Sequence, residues 1–217
     1  MPTYYPVFID VKDRLCVVIG GGNIGEEKVH KLLECGARVW VISPEVNDGV
    51  RELADTESVT WDQREYRQGD LEGAFIAIAA TDDNKVNRQI AAEAEGRNVL
   101  LNVVDVTHLC TFIAPSVARR GDVSIAISTG GASPALARKF REALSDSRIL
   151  EYADLAPLLS DARNELKRIG VRVAPDHWQA CITEDLLDMV QTGKPEQARK
   201  TLMANLLDDQ VVAPADD

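Results

Sequence analysis

The stretch RLCVVIGGGNIGEEKVHKLLECG, residues 14–36, reads as a strand, a glycine loop and a helix. Residues 14–20 are a short apolar run ending in glycine, the pattern of a strand buried on both faces. Residues 26–35 carry Val29, Leu32 and Leu33 at helical spacing, and Gly36 supplies a C-terminal stop. Between strand and helix, Gly20, Gly22 and Gly25 fit G-x-G-x-x-G, and Gly21 makes three consecutive glycines. In such a loop the first glycine allows a tight turn. The second lets backbone N–H groups approach a pyrophosphate, and the third lets the helix pack on the strand. The helix start adds unpaired N–H donors and a partial positive charge. A glycine-rich turn can be only a turn. Its position here, at the head of a strand–helix–strand unit, is the context that dinucleotide binding requires.

Working outward, 38–42 is a second β-rich strand, and Pro44 then breaks the pattern. A helix through Val50 and Leu53, a weaker strand at 59–63 and an apolar strand at 74–80 follow. Residues 83–96 read as a helix with Val86, Ile90, Ala91 and Ala94 inward, and 99–104 as the next strand. This alternation predicts an α/β fold with a Rossmann-type, doubly wound parallel sheet. After residue 105 the character changes. Two strands, 111–114 and 122–128, flank the turn RRGD at 119–122, and a helix runs from about Ser133 to Leu144. From about Ser147 only helical patterns remain. Their apolar faces are Leu155, Leu158, Leu159, Ala162, Leu166 and Ile169, then Leu186, Leu187 and Val190, then Ala198, Leu202 and Leu206. The tail 211–217 is expected to fray.

The composition narrows the function classes. The net charge of −11 over 217 residues argues against a nucleic-acid partner, since phosphate binding needs a basic surface. Cys16, Cys35, Cys110 and Cys181 form neither a C-x-x-C pair nor a zinc pattern, and Cys16 reads as a small core residue. With no disulfide framework and no signal-peptide pattern, a reducing cytoplasm is the expected home. The longest apolar run, 74–80, is too short to span a bilayer, so no membrane partner is expected. No two histidines share metal-ligand spacing, so no fixed protein metal site is expected.

Ligands of such sheets bind beyond the carboxyl ends of the strands. The second strand ends Ile42-Ser43-Pro44-Glu45 rather than in the usual acidic residue; Ser43 or Glu45 can reach a ribose, and no arginine beside Ser43 invites a 2′-phosphate. That favours NAD over NADP. After the fourth strand come Thr81 and Asp82, which either border the cofactor or cap the next helix. After the fifth come Val104 and Asp105. An aspartate there is either a general acid/base or a turn residue. His108 is a second acid/base candidate, or an exposed loop residue. The loop TGGASP, with Thr129, Gly130 and Ser133, precedes a helix bearing Arg138, Lys139 and Arg141. It suits a carboxylate-rich ligand, and equally a helix start capped by Ser133 with Pro134 in its first turn.

Taken together, PVFIDVKDRLCVVIGGGNIGEEK, AFIAIAATDDNKVN, NVVDVTHLCTFIAPS and ISTGGASPALARKFRE resemble the precorrin-2 dehydrogenase and sirohydrochlorin ferrochelatase family of sirohaem synthesis. The resemblance implies an NAD-binding domain over 1–113, a small α+β dimerisation region over 114–146 and a helical domain over 147–217. It implies an interlocked homodimer that oxidises precorrin-2 to sirohydrochlorin with NAD⁺, with Fe²⁺ or Co²⁺ insertion as an additional activity in some members. Carried over by motif, Asn23 and Ile24 join the glycines at the pyrophosphate. Ser43, Pro44 and Glu45 lie at the adenosine ribose, Thr81, Asp82 and Val104 border the cofactor, and Asp105 is the catalytic carboxylate. Tetrapyrrole contacts fall to His108, Thr129, Gly130 and Ser133. Where members often carry Arg-Lys after the glycines, this chain has Glu27-Lys28. No methyltransferase domain follows, so uroporphyrinogen methylation is expected elsewhere. The alternative is a non-catalytic dinucleotide-sensing regulatory module, which needs the glycine loop but no catalytic carboxylate.

Overall fold

The computed structural model describes residues 3–208 and 212–213. They divide into two compact units. One takes the described residues up to Ala114 with Gly130–Ala132; the other takes Pro115–Thr129 and the described residues from Ser133 on.

The first unit is the sheet. Its elements are β1 (Leu15–Gly21), α1 (Asn23–Glu34), β2 (Arg38–Val46), α2 (Asp48–Asp55), β3 (Thr60–Asp62), β4 (Ile76–Ala79), α3 (Asn84–Arg97) and β5 (Leu100–Val103). The strand order is β3-β2-β1-β4-β5, with every pairing parallel. The chain winds outward from β1 to β3, then returns to lay β4 on the other side of β1. The switch of direction therefore falls between β1 and β4, where such sheets bind ligands. Two-residue alternation divides β1 between two cores. Cys16 and Val18 pack with Val29 and Leu32 of α1 and Val50 of α2, while Val17 and Ile19 pack with Ile90 and Ala94 of α3. Burial pushes the Cys16 thiol pKa up to about 11, so it behaves as an apolar core group.

Two strand expectations in this unit are corrected. Pro44 does not end the second strand: β2 runs through it to Val46. The pairing jumps there from Ile19↔Ile42 to Gly21↔Val46, and a bulge in β2 accommodates the proline, which has no N–H for a ladder. Residues 111–114 are not a strand. They cover the free edge of β5 irregularly. The Thr111 hydroxyl accepts from the Leu101 N–H (2.7 Å), the Thr111 N–H donates to the Leu101 carbonyl (2.9 Å), and the Asn102 amide donates to the Phe112 carbonyl (3.1 Å). Mixed backbone and side-chain bonds take the place of a regular ladder and protect an edge that would otherwise invite pairing.

A polar group sits deep in this unit. Glu93 of α3 is buried. Its carboxylate accepts from the Tyr66 hydroxyl (2.5 Å), the Gly69 N–H (2.9 Å) and the Leu71 N–H (3.2 Å), and pairs with Arg97 (2.8 Å). Burial works to raise its pKa, but these donors and the guanidinium together hold it below the usual range.

In the second unit, β6 (Ser116–Arg120) and β7 (Val123–Ile127) form an antiparallel hairpin. Its turn is Gly121-Asp122, so Arg119 and Arg120 lie in the strand rather than in the expected turn. Arg120 grips Asp154 with two bonds, 2.7 and 2.6 Å. Then come α4 (Pro134–Ser145), α5 (Arg148–Glu151), α6 (Ala156–Arg168), β8 (Arg172–Val173), α7 (Pro175–Ala180), α8 (Glu184–Gln191), α9 (Pro195–Leu206) and β9 (Val212–Ala213). Leu155, Leu166, Leu187, Leu202 and Leu206 are among the side chains of one helical core. Ile169, expected on the same face, follows the end of α6 and is exposed. Of the tail expected to fray, Val212 and Ala213 pair with β8, and the rest lies outside the described residues.

Candidate cofactor site

The carboxyl ends of β1, β4 and β5 are stitched into one rim. The Ala80 N–H donates to the Ile19 carbonyl (2.7 Å) and the Val104 N–H to the Ala79 carbonyl (2.9 Å). Gly20, with φ +111°, lies so close to β4 that a Cβ there would be 2.2 Å from the Ala80 carbonyl oxygen. The glycine loop, the Thr81–Asp82 corner and the Val104–Asp105 turn, three segments distant in sequence, therefore sit side by side.

Within the loop the glycines have different reasons to be glycine. A Cβ on Gly25 would be 2.2 Å from the Gly20 carbonyl oxygen, so helix and strand could not close. A Cβ on Gly21 would strike Val46 and the Glu45 carbonyl, at 2.4 and 2.6 Å. At Gly22 nothing lies within 4 Å. No packing among the described residues requires that glycine, and it leads α1 with no side chain of its own to cap the first amides. Open space in front of uncapped helix donors fits a pyrophosphate, which would supply the missing acceptors. The other helices of this unit are closed by their own side chains: Asn47 caps α2 and Asp83 caps α3.

Asn47 has a further role that sequence patterning did not reveal. Its amide donates to the Glu26 carboxylate (2.5 Å) and to the Asn23 side chain (3.2 Å), and its N–H donates to the Gly21 carbonyl (2.9 Å). It thus ties the glycine loop to the β2–α2 corner. An asparagine before a helix signals a cap, but its partners twenty-odd residues back carry no local signature.

At the end of β2, Ser43 is buried and its hydroxyl donates to the Glu45 carbonyl (2.6 Å), while Pro44 and Glu45 are exposed. At the end of β4, neither Thr81 nor Asp82 caps α3. The cap is Asp83, which accepts from the Lys85 and Val86 N–H groups at 2.7 and 3.2 Å. The Thr81 hydroxyl accepts from the Asp83 N–H (3.1 Å), its carbonyl accepts from the buried Asn87 amide (3.0 Å), and Asp82 is exposed.

Asp105 follows β5 in a turn closed by the Val106 N–H on the Val103 carbonyl (3.2 Å). Its φ is +60°, a conformation that costs a non-glycine residue about 1–2 kcal/mol. Its side chain is exposed. Asp13, Glu57 and Asn98 share a positive φ, so that conformation alone does not mark a site. Of these four, Asp105 alone follows the carboxyl end of a strand in the rim.

His108 lies in a short 3₁₀ turn, Thr107–Leu109. It lines a cavity of about 730 Å³ with Arg88, Ala91 and Glu95 of α3, alongside Cys110 and Thr111. In the TGGASP loop, Thr129 and Ser133 bind each other. The Thr129 hydroxyl donates to the Ser133 carbonyl and accepts from the Ser133 N–H, both at 3.1 Å. The Ser133 hydroxyl accepts from the Leu136 N–H (3.2 Å), with Pro134 in the first turn of α4. The capped-helix reading of this segment holds. Among the described residues no three His, Cys, Asp or Glu side chains converge to hold a metal ion, and no helix is long and apolar enough to cross a membrane.

An all-parallel, doubly wound sheet with an open glycine loop at its switch point defines a dinucleotide-binding α/β protein. Residues 7–116 match the model of a family described as putative NAD(P)-binding, and the chain belongs to that family. Residues 120–147 match a second model, described as sirohaem biosynthesis protein central. A sirohaem synthase of Nitrosococcus oceani is 33% identical over 205 residues, and one of Methylobacillus flagellatus 35% over 202. These alignments cover 94% and 91% of this chain but 44% and 43% of the relatives, so the chain spans less than half their length. Among solved structures it is similar to SirC, a precorrin-2 dehydrogenase, with a TM-score of 0.72 and 26% identity over 92% of this chain and 98% of that one.

Proposed function

We propose that this chain oxidises precorrin-2 to sirohydrochlorin with NAD⁺. The observation that carries the reading is the rim itself: an open, uncapped helix start at Gly22 beyond β1 and a carboxylate, Asp105, beyond β5, two strands along the same rim. Likeness to SirC over nearly the whole of both chains supports the same substrate.

In this reading the backbone around Gly20, Gly22, Asn23, Ile24 and Gly25 binds the pyrophosphate. Glu45 takes the adenosine ribose, with Ser43 and Pro44 shaping that corner. Thr81, Asp82 and Val104 border the nicotinamide half. Bound NAD⁺ supplies the hydride acceptor. The substrate loses a hydride and a proton, and Asp105 takes the proton. Thr129, Gly130 and Ser133, with His108, are assigned to the carboxylate-rich macrocycle; since the two hydroxyls are engaged locally, backbone groups would make that contact. Fe²⁺ or Co²⁺ would enter as substrate, with the macrocycle's own nitrogens as ligands. The protein would act in the cytoplasm, consistent with four unpaired cysteines, and as a homodimer. Tyr5, Val7 and Phe8 on the N-terminal segment, and Leu136, Phe140 and Ile149 on α4 and α5, are exposed apolar groups that a second copy would cover.

The test is incubation of the pure protein with precorrin-2 and NAD⁺. NADH formation is expected, and its absence overturns the reading. Asp105→Asn should bind NAD⁺ normally while kcat falls about 10²–10⁴-fold, the usual worth of a general acid or base. Unchanged turnover would remove Asp105 from its role.

A further inference from the structure

The turn that carries Asp105 is held by one side chain from outside it. Cys110 lies beyond the 3₁₀ turn, seven residues after Val103, and its sulfur reaches back to the end of β5. It accepts from the Val103 N–H (3.2 Å) and from the Asn102 amide (3.7 Å). Its S–H is shared between the Val103 carbonyl (3.2 Å) and the Val106 carbonyl (3.5 Å). Val103 and Val106 are the first and last residues of the Asp105 turn. The thiol therefore engages backbone at both ends of the segment whose third residue sits at φ +60°.

The arrangement has a physical rationale. β5 is an edge strand, so the Val103 N–H and carbonyl have no neighbouring strand on that side. A positive φ at aspartate persists only where the surroundings over-determine it. The sulfur, on its longer C–S bond, takes the Val103 N–H, shares the Val103 carbonyl with the Val106 N–H that closes the turn, and ties the far end of the turn to them. Burial raises the thiol's pKa while its bond to Val103 lowers it, with a net upward shift. At neutral pH it is a protonated donor rather than a reactive thiolate.

We infer that Cys110 is a positioning residue: its thiol buckles the end of β5 and holds Asp105 where it serves the reaction. This rests on the assignment of Asp105 as the acid/base. Misplacing a catalytic group by about 1 Å can cost about 10²-fold in rate, so a modest relaxation of this turn is enough to be measured.

The experiment compares Cys110→Ala, Cys110→Ser, Asp105→Asn and the double variant Cys110→Ala/Asp105→Asn in the intact chain, with NAD⁺ affinity and precorrin-2 turnover measured for each. For Cys110→Ala, kcat should fall about 10–100-fold while the NAD⁺ Kd stays within about twofold. Cys110→Ser, which keeps a donor and an acceptor, should recover part of that loss, and carries the test if the alanine variant does not fold. In the Asp105→Asn background, Cys110→Ala should cause no further loss, because the group it positions is already gone. If Asp105→Asn is impaired but Cys110→Ala turns over at full rate, or if the two losses multiply, this inference falls and the Asp105 reading stands. If Asp105→Asn turns over at full rate, both fall.

Discussion

Two glycine-rich loops lead into helices in this chain, GGGNIG into α1 and TGGASP into α4, and the structure finishes them in opposite ways. At α4 the loop closes on itself: Thr129 binds Ser133, Ser133 caps the helix, and Pro134 removes one donor that would need a partner. At α1 the capping position is Gly22, which makes no side-chain cap bond, and a Cβ placed on it would meet no described residue within 4 Å. Both loops look like anion sites in sequence. What separates them is whether the protein supplies its own acceptors or leaves them to a ligand.

Substitutions at self-satisfied and at open positions should therefore have different effects. The largest effect is expected where self-satisfaction is most complete, at Glu93. Removing its carboxylate by Glu93→Ala leaves the Tyr66 hydroxyl and two amides unpaired and should cost about 4 kcal/mol in denaturant unfolding. Because the folded pKa of Glu93 lies below its unfolded value, its contribution is fully present above pH ~4.3 and is lost as pH falls through the folded pKa. The stability gap between wild type and Glu93→Gln should therefore narrow in acid; a gap independent of pH would contradict the assignment. Next is Gly25→Ala, whose methyl meets the Gly20 carbonyl. Overpacking of this kind should cost about 2–3 kcal/mol, and NAD⁺ affinity should fall with it, because the displaced carbonyl belongs to the glycine loop itself. The smallest effect is at the self-closed loop. Ser133→Ala should lose about 1 kcal/mol, the worth of an N-cap, with NAD⁺ affinity unchanged in a titration.

The sheet was legible because its strands are apolar runs punctuated by glycine, and the loop between residues 20 and 25 sits where a βαβ unit needs it. The misread segments are those where a long-range partner overrode a local signal. Pro44 stays in a strand because the register of β1 against β2 jumps beside it. Residues 111–114 have strand composition, yet the Thr111 and Asn102 side chains take over part of the bonding at the β5 edge and no regular ladder forms. The cap of α3 fell one residue beyond the two candidates, at Asp83. Within the candidate site, the glycines and Asp105 could be named from the sequence. The bonds that hold them could not: Asn47 on Glu26 and Cys110 on Val103 join elements whose proximity only the fold creates.

Gly22 is the one glycine of the motif that no contact among the described residues explains. The most direct measurement is an NAD⁺ titration of Gly22→Ala beside wild type, with thermal unfolding of the free proteins. The methyl enters open space, so melting should be nearly unchanged, while NAD⁺ affinity should drop at least about tenfold as the methyl blocks close approach of phosphate to backbone. Undiminished affinity in a normally folded Gly22→Ala protein would contradict the assignment of this loop as the cofactor's berth.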